Sequence, residues 1–160
     1  MLKFSDINST NRIEINQIIA ERWLSTDMVI RGEIVDMTQL NGIAVYKDAR
    51  IIGLVTYRIV DEECEITSLD SFCEGIGIGT ELINRITVVA KQSHCKRIKL
   101  ITTNDNINAI KFYQKRGFDM IHIYRNALDI SRKIKPSIPF IGEDDIPLKH
   151  EIEFELILNR

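Results

Sequence analysis

The chain has no apolar run long enough to span a bilayer and no apolar signal core in its opening "MLKFSDINST". Both absences point away from a membrane protein and toward a cytoplasmic one. Cysteine is scarce: Cys64, Cys73 and Cys95 are odd in number and lack CxxC spacing. A disulfide framework or a thiolate metal site is therefore not expected, and free thiols in a reducing compartment are. His94, His122 and His150 share no ligand spacing, so no metal is expected either. There is no excess of basic charge. The 160 residues carry a net charge of -2, which speaks against a general nucleic-acid binder. There is no repeat and no low-complexity stretch. What is present is an ordinary mixture, 44% hydrophobic and 28% charged, of a length suited to one domain over residues 1–160.

Patterning divides the chain. "NRIEINQIIAERW" sets Ile15, Ile18, Ile19 and Trp23 at helical spacing and predicts a first helix, with a second short one before Arg31. From Gly42 to Asp70 the chain is dense in Val, Ile, Tyr and Thr, with short polar breaks at "KDAR" and "DEE". This predicts a three-strand antiparallel meander near 42–47, 50–60 and 63–70. Leu82, Ile83, Ile86, Val89 and Ala90 form one stripe on a helix from about Gly79 to Gln92. "KRIKLIT" predicts a strand at 97–103. "NDNINAIKFYQKRGF" predicts a helix opened by Asn or Asp and stopped at Gly117. "FDMIHIYR" is a further strand. "IKPSIPFIGEDDIPLK" holds all three prolines and reads as a long loop, and "HEIEFELIL" alternates Ile152, Phe154, Leu156 and Leu158 as a closing strand. The fold class is α+β, a mixed sheet with helices on both faces.

The chemistry-bearing stretch is "EGIGIGTELINRI", in which Gly75, Gly77 and Gly79 stand at alternate positions just before a helix. It is not a P-loop, which needs a Lys to reach the terminal phosphates; the next Lys is Lys91. It fits a dinucleotide fingerprint poorly. The third glycine position is Thr80, and "RIKL" near 97–100 offers no carboxylate for a ribose. Two readings of the loop alone remain. It is a pyrophosphate cradle, in which glycines admit an anion to the backbone and the helix N-terminus faces it, or it is a tight packing turn.

A second motif lies about 30 residues on. Asn106, Ala109, Phe112, Tyr113, Gly117 and Phe118 fall on one helix and its stop, with Asn106 and Tyr113 two turns apart on a shared face. Together the two stretches resemble the GNAT superfamily of N-acetyltransferases. That family's loop reads [QR]-x-x-G-x-[GA], here Glu74-Gly75-Ile76-Gly77-Ile78-Gly79. Its later helix often reads N-x-x-A-x-x-[FL]-Y-x-x-x-G-F, matched from Asn106 to Phe118. The order of elements agrees over nearly the whole chain. The resemblance implies a central, mostly antiparallel sheet of about six to seven strands flanked by helices. It also implies transfer of an acetyl group from acetyl-CoA to a primary amine of a small molecule or peptide, by direct attack and a tetrahedral intermediate.

By that resemblance, Leu69, Asp70 and Ser71 pair their backbone with the pantetheine arm, and a backbone N–H at Leu69 faces the thioester oxygen. Residues Glu74 to Thr80 (Gly75, Ile76, Gly77, Ile78 and Gly79 between them) hold the pyrophosphate, and Asn106, Ala109 and Tyr113 complete the coenzyme contacts. Tyr113 holds or protonates the leaving thiolate, and Glu65 is the candidate base; a core aromatic and an outward strand carboxylate are the alternatives. Glu74 departs from the family's Gln or Arg, so its side chain has to point away from the anion, with Arg85, Lys111 or Arg116 to compensate. Acidic residues Asp27, Glu33, Asp36, Glu143, Asp144 and Asp145 in the presumed acceptor segments suit a cationic amine. Nucleic acid and membrane are not expected as partners, and a homodimer is a family habit. The competing functions are a non-catalytic acetyl-CoA sensor of the same fold and a nucleotide-binding module.

Overall fold

The computed structural model describes residues 1–159; Arg160, the end of the expected domain, lies outside them. Seven strands order as β1-β4-β5-β6-β7-β9-β8, and β2 with β3 makes a separate two-stranded sheet. The β1–β4, β4–β5, β5–β6 and β8–β9 pairs are all antiparallel. With helices α1 to α4 the fold is the expected mixed α/β class. The chain divides into two compact units, one of Met1–Asp27, Asp36–Ile98 and the tail from Leu158, the other of Met28–Val35 and Lys99–Ile157.

The first unit holds β1 (Lys3–Asp6), α1 (Arg12–Trp23), the meander β4 (Asn41–Lys47), β5 (Arg50–Val60) and β6 (Glu63–Ser71), then α2 (Ile78–Gln92). The meander follows the expected boundaries within a residue. Its two connections are two-residue turns, Asp48-Ala49 and Asp61-Glu62, in which all four residues take positive φ between 49° and 65°. That handedness matches the twist of the strands it joins. Cross-strand partners share a face, so register assigns the two sides. Phe4, Val45, Gly53, Val55 and Leu69 line one side; Ser5, Ala44, Leu54, Thr56, Arg58 and their β6 partners line the other. α2 covers the first side with Ile78, Leu82, Ile83, Ile86 and Ala90 buried. α1, which buries Ile15 and Ile19, belongs to the second, where its Trp23 donates to Asp70, the partner of Leu54.

The second unit holds β2 (Asp27–Ile30) and β3 (Glu33–Asp36), whose outer residues Asp27 and Asp36 fall in the first unit, most of β7 (Arg97–Thr103), α3 (Ile107–Lys115), β8 (Asp119–Tyr124), α4 (Ala127–Ile134) and β9 (Glu151–Ile157). One expectation is corrected here. The short second helix before Arg31 is a hairpin, because "DMVIRGEIVD" brackets an Arg31-Gly32 turn with φ of 50° and 74° between β-branched pairs. The segment before the prolines forms α4, which packs Ala127 and Leu128 against Leu148. The stretch beyond α4 is a loop with one short 3-10 turn at Glu143–Asp145 and an Ile141–Pro147 bridge. It is pinned at both ends. Arg132 donates to the carbonyls of Pro139, at 2.9 Å, and Leu148, and stacks on Phe140. Asp105 accepts from the Glu143 N–H at 2.9 Å. Asn104 Oδ1 accepts from the N–H groups of Lys149 and His150.

Candidate active site

The glycine loop leaves β6 at Ser71 and enters α2 at Ile78, one residue before the expected Gly79. Gly75 and Gly77 take φ of 81° and 76°, and a Cβ built at either meets nothing within 4 Å. Glycine suits this left-handed backbone, and nothing packs against the position of a side chain at either. Gly77 is the N-cap of α2 and offers no side-chain cap. The first intrahelical bond runs from the Glu81 N–H to the Gly77 carbonyl at 3.1 Å, so the Ile78 and Gly79 amides precede the ladder at the positive end of a 15-residue helix. The loop's two left-handed glycines are open to solvent, and the helix start that follows has no side-chain cap.

A close contact under the start of α2 carries no mark in the local sequence. A Cβ at Gly53 on β5 would stand 2.6 Å from Cγ2 of Ile78. Only a glycine there lets the first turn of α2 seat on the sheet, and no local motif marks it. Glu74 is exposed. The Arg85 guanidinium donates to Glu81 at 3.0 Å and stacks on the Phe4 ring at 3.7 Å.

β6 carries a polar row on its α1 side. Glu65 is not the outward carboxylate of the alternative reading. It is 3% exposed, and its Oε1 takes both Nε and Nη2 of Arg58 at 2.8 Å. A β-bulge follows, in which Thr67 and Ser68 together oppose Thr56. The Thr56 hydroxyl lies 2.7 Å from that of Thr67 and 2.5 Å from that of Ser68. Past the bulge, Leu69 pairs with Val55, Asp70 with Leu54 and Ser71 with Gly53. Oδ2 of Asp70 accepts from the indole N–H of Trp23 at 3.3 Å. Burial pushes the Asp70 carboxyl above its ordinary range, and the Trp23 hydrogen bond and the Arg22 charge pull it partly back.

In the second unit, Asn106 caps α3, its Oδ1 accepting from the Ala109 N–H at 3.1 Å. The motif's Asn and Ala are thus tied to each other by the helix start itself. Gly117 stops the helix at φ 90°, with the Phe118 N–H returning to the Tyr113 carbonyl. Tyr113 is buried. Its ring lies 5.2 Å from Phe112, 5.4 Å from Phe118 and 6.0 Å from Phe154, so aromatic packing sets its orientation. Glu143, Asp144 and Asp145 are all exposed on their pinned loop.

Cys64, Cys73 and Cys95 are free, and burial pushes the Cys64 thiol up to about 12. Among the described residues, no group of three or more His, Cys, Asp or Glu side chains could hold a metal ion. Among the same residues, no helix is long and apolar enough to cross a membrane.

Comparison with known proteins bears on both units. The family model described as the acetyltransferase (GNAT) family matches residues 12–118. The protein YdhI of Bacillus subtilis (strain 168) is 43% identical over 146 residues, 91% of each chain. The solved IAA acetyltransferase from Bacillus cereus ATCC 14579 superposes with a TM-score of 0.75 at 18% identity, over 99% of this chain and 100% of that one. A GNAT family acetyltransferase from Elizabethkingia anophelis, solved with acetyl-CoA bound, superposes with a TM-score of 0.73 at 19% identity, over 98% of each chain. At such identities the two structures show a shared fold.

Proposed function

Because the chain belongs to the acetyltransferase (GNAT) family, we propose that it transfers an acetyl group from acetyl-CoA to a primary amine of a small molecule or peptide. Family membership, and relatives of the same fold with coenzyme bound, support acetyl-CoA-dependent acetyl transfer in general; the acceptor and the residue roles are our reading. The observation that carries it is the Gly75–Gly79 loop, with two left-handed glycines open to solvent and running straight into an uncapped helix N-terminus. Backbone N–H groups there suit a pyrophosphate.

In this reading the end of β6, Leu69 to Ser71, runs beside the pantetheine, and the Leu69 N–H stabilises the oxyanion of the tetrahedral intermediate. The amine nitrogen attacks the thioester carbon, the C–S bond breaks as the intermediate collapses, and Tyr113 supplies a proton to the departing thiolate. The exposed Glu143, Asp144 and Asp145 favour a cationic acceptor by raising its local concentration.

One observation favours a second reading, an acetyl-CoA sensor without turnover: the expected base Glu65 is already committed to Arg58. Two measurements separate the readings. Acetyl-CoA at about 100 times its Kd should stabilise the fold by about 2.7 kcal/mol, with ATP and NAD giving much less. A thiol-release assay should then find turnover with at least one of a panel of primary amines. A melting shift without thiol release would establish the sensor, and no shift would remove both.

A further inference from the structure

The bulge in β6 has a directional consequence. Glu65 and Asp70 are five residues apart, and unbroken alternation would send them to opposite faces of the sheet. Because Thr67 and Ser68 share one partner, the alternation slips by one. Asp70, opposite Leu54, comes to the side that Glu65, opposite Arg58, already occupies. That side is the one α1 covers. The last turn of α1 brings Trp23 to within hydrogen-bond distance of Asp70 Oδ2, and Arg22 stacks on Phe72, two residues beyond Asp70, at 4.3 Å. Trp23 itself is 40% exposed, so the carboxylate sits at a partly open edge. It lies one residue past Leu69, where the proposed thioester oxygen is bound.

We propose that Asp70 is the base that takes the proton of the acceptor ammonium, with Trp23 holding the carboxylate in place; this inference rests on the acetyl-transfer reading. The ammonium gives one proton to the Asp70 carboxylate and becomes a neutral amine. Its nitrogen then forms the C–N bond. The second proton leaves the nitrogen as the intermediate collapses, the C–S bond breaks, and the thiolate ends as a thiol. Asp70 returns its proton to solvent, so acetyl-CoA and an ammonium yield an amide, coenzyme A and one proton.

The environment suits the task. Burial raises the carboxyl's affinity for a proton, the direction a base working near neutrality needs. The groups facing it are Arg22 and the Trp23 N–H from α1, the apolar Leu54 from β5, and Ser68 on its own strand. Glu65 lies further along the same face with its charge matched by Arg58. The competing role is structural, with Asp70 only anchoring the last turn of α1 through Trp23.

Asp70→Asn separates the two, because an amide oxygen still accepts from Trp23 but takes up no proton. The assay is thiol release from acetyl-CoA, with the best acceptor from a panel of an alkyl diamine, an aminoglycoside and a peptide amine, run from acid to alkaline pH. The wild type should lose kcat toward acid pH. Asp70→Asn should lower kcat by about 100-fold or more, remove that acid limb, and keep the acetyl-CoA melting shift. Trp23→Phe removes a donor that favours the ionised form, so its acid limb should move to higher pH; this variant decides the matter if Asp70→Asn does not fold. A wild type that turns over beside an Asp70→Asn of equal kcat and unchanged limb overturns the inference and leaves the acetyl-transfer reading standing. So does an unmoved limb in Trp23→Phe. A wild type that binds acetyl-CoA and acetylates no amine overturns both.

Discussion

Oε1 of Glu65 lies 2.8 Å from both Nε and Nη2 of Arg58, on a side chain 4% exposed against 23% for its partner. The asymmetry in exposure makes the two halves of the pair unequal. Arg58→Leu removes the paired guanidinium from a buried carboxylate and should cost about 3 kcal/mol. Glu65→Gln keeps an acceptor and leaves a guanidinium that can turn toward water, so it should cost clearly less. Urea unfolding of the two variants measures the difference, and equal costs would mean that burial of Glu65 does not control the pair.

The glycine loop makes a paired prediction. Gly53→Ala puts a methyl 2.6 Å from Cγ2 of Ile78; overpacking of this kind costs about 1–3 kcal/mol, and the displaced helix start should weaken coenzyme binding. Gly77→Val places a β-branched residue at φ 76°, where it is strained and fills the anion's approach. It should abolish the acetyl-CoA melting shift while the fold persists. A full shift in Gly77→Val would make the loop a packing turn.

Tyr113→Phe keeps the ring among Phe112, Phe118 and Phe154 and removes only the hydroxyl. The acetyl-CoA shift should stay close to wild type, while kcat falls by about 10- to 1000-fold. Steady-state thiol release reads this directly, and an unaltered kcat assigns Tyr113 to packing alone.

Asp70 also predicts a pH dependence of stability. Its carboxyl is raised by burial in the folded chain, while the unfolded group titrates near about 3.9. Between those values the folded state binds more protons, so stability falls as pH rises and the loss is complete above the folded value. Asp70→Asn should therefore be more stable than wild type at neutral pH, with the gain disappearing in acid where both states are protonated. Thermal unfolding across pH tests the sign; an Asp70→Asn that is less stable at every pH would contradict it.

The acidic loop should act on acceptor binding and on little else. Glu143, Asp144 and Asp145 are exposed, so changing all three to Gln or Asn should move stability by no more than about 0.5 kcal/mol per site. KM for a cationic amine should rise at low salt and converge with wild type at high salt, as screening removes the field. An unchanged KM at low salt would reduce the cluster to a solvated surface.

Local pattern by itself determined much of this protein. The meander, α2, β7 and α3 were legible because alternation and helical spacing are properties of neighbouring residues, and the Asn106 cap and Gly117 stop are set within one turn of chain. The two motifs, and with them the family, were legible for the same reason. The elements that were missed are short. Strands β2 and β3 have four residues each, and α4 has eight. Such pieces have little stability alone, and α4 is held by Ala127 and Leu128 on Leu148, some twenty residues away. Tertiary structure alone decided which polar side chains meet on the sheet. A single bulge turned Asp70 to the side of Glu65, Arg58 claimed Glu65 from the next strand, and Trp23 reached Asp70 across 47 positions of sequence. Sheet register and helix docking set those encounters, and both depend on contacts between distant segments that no local spacing encodes.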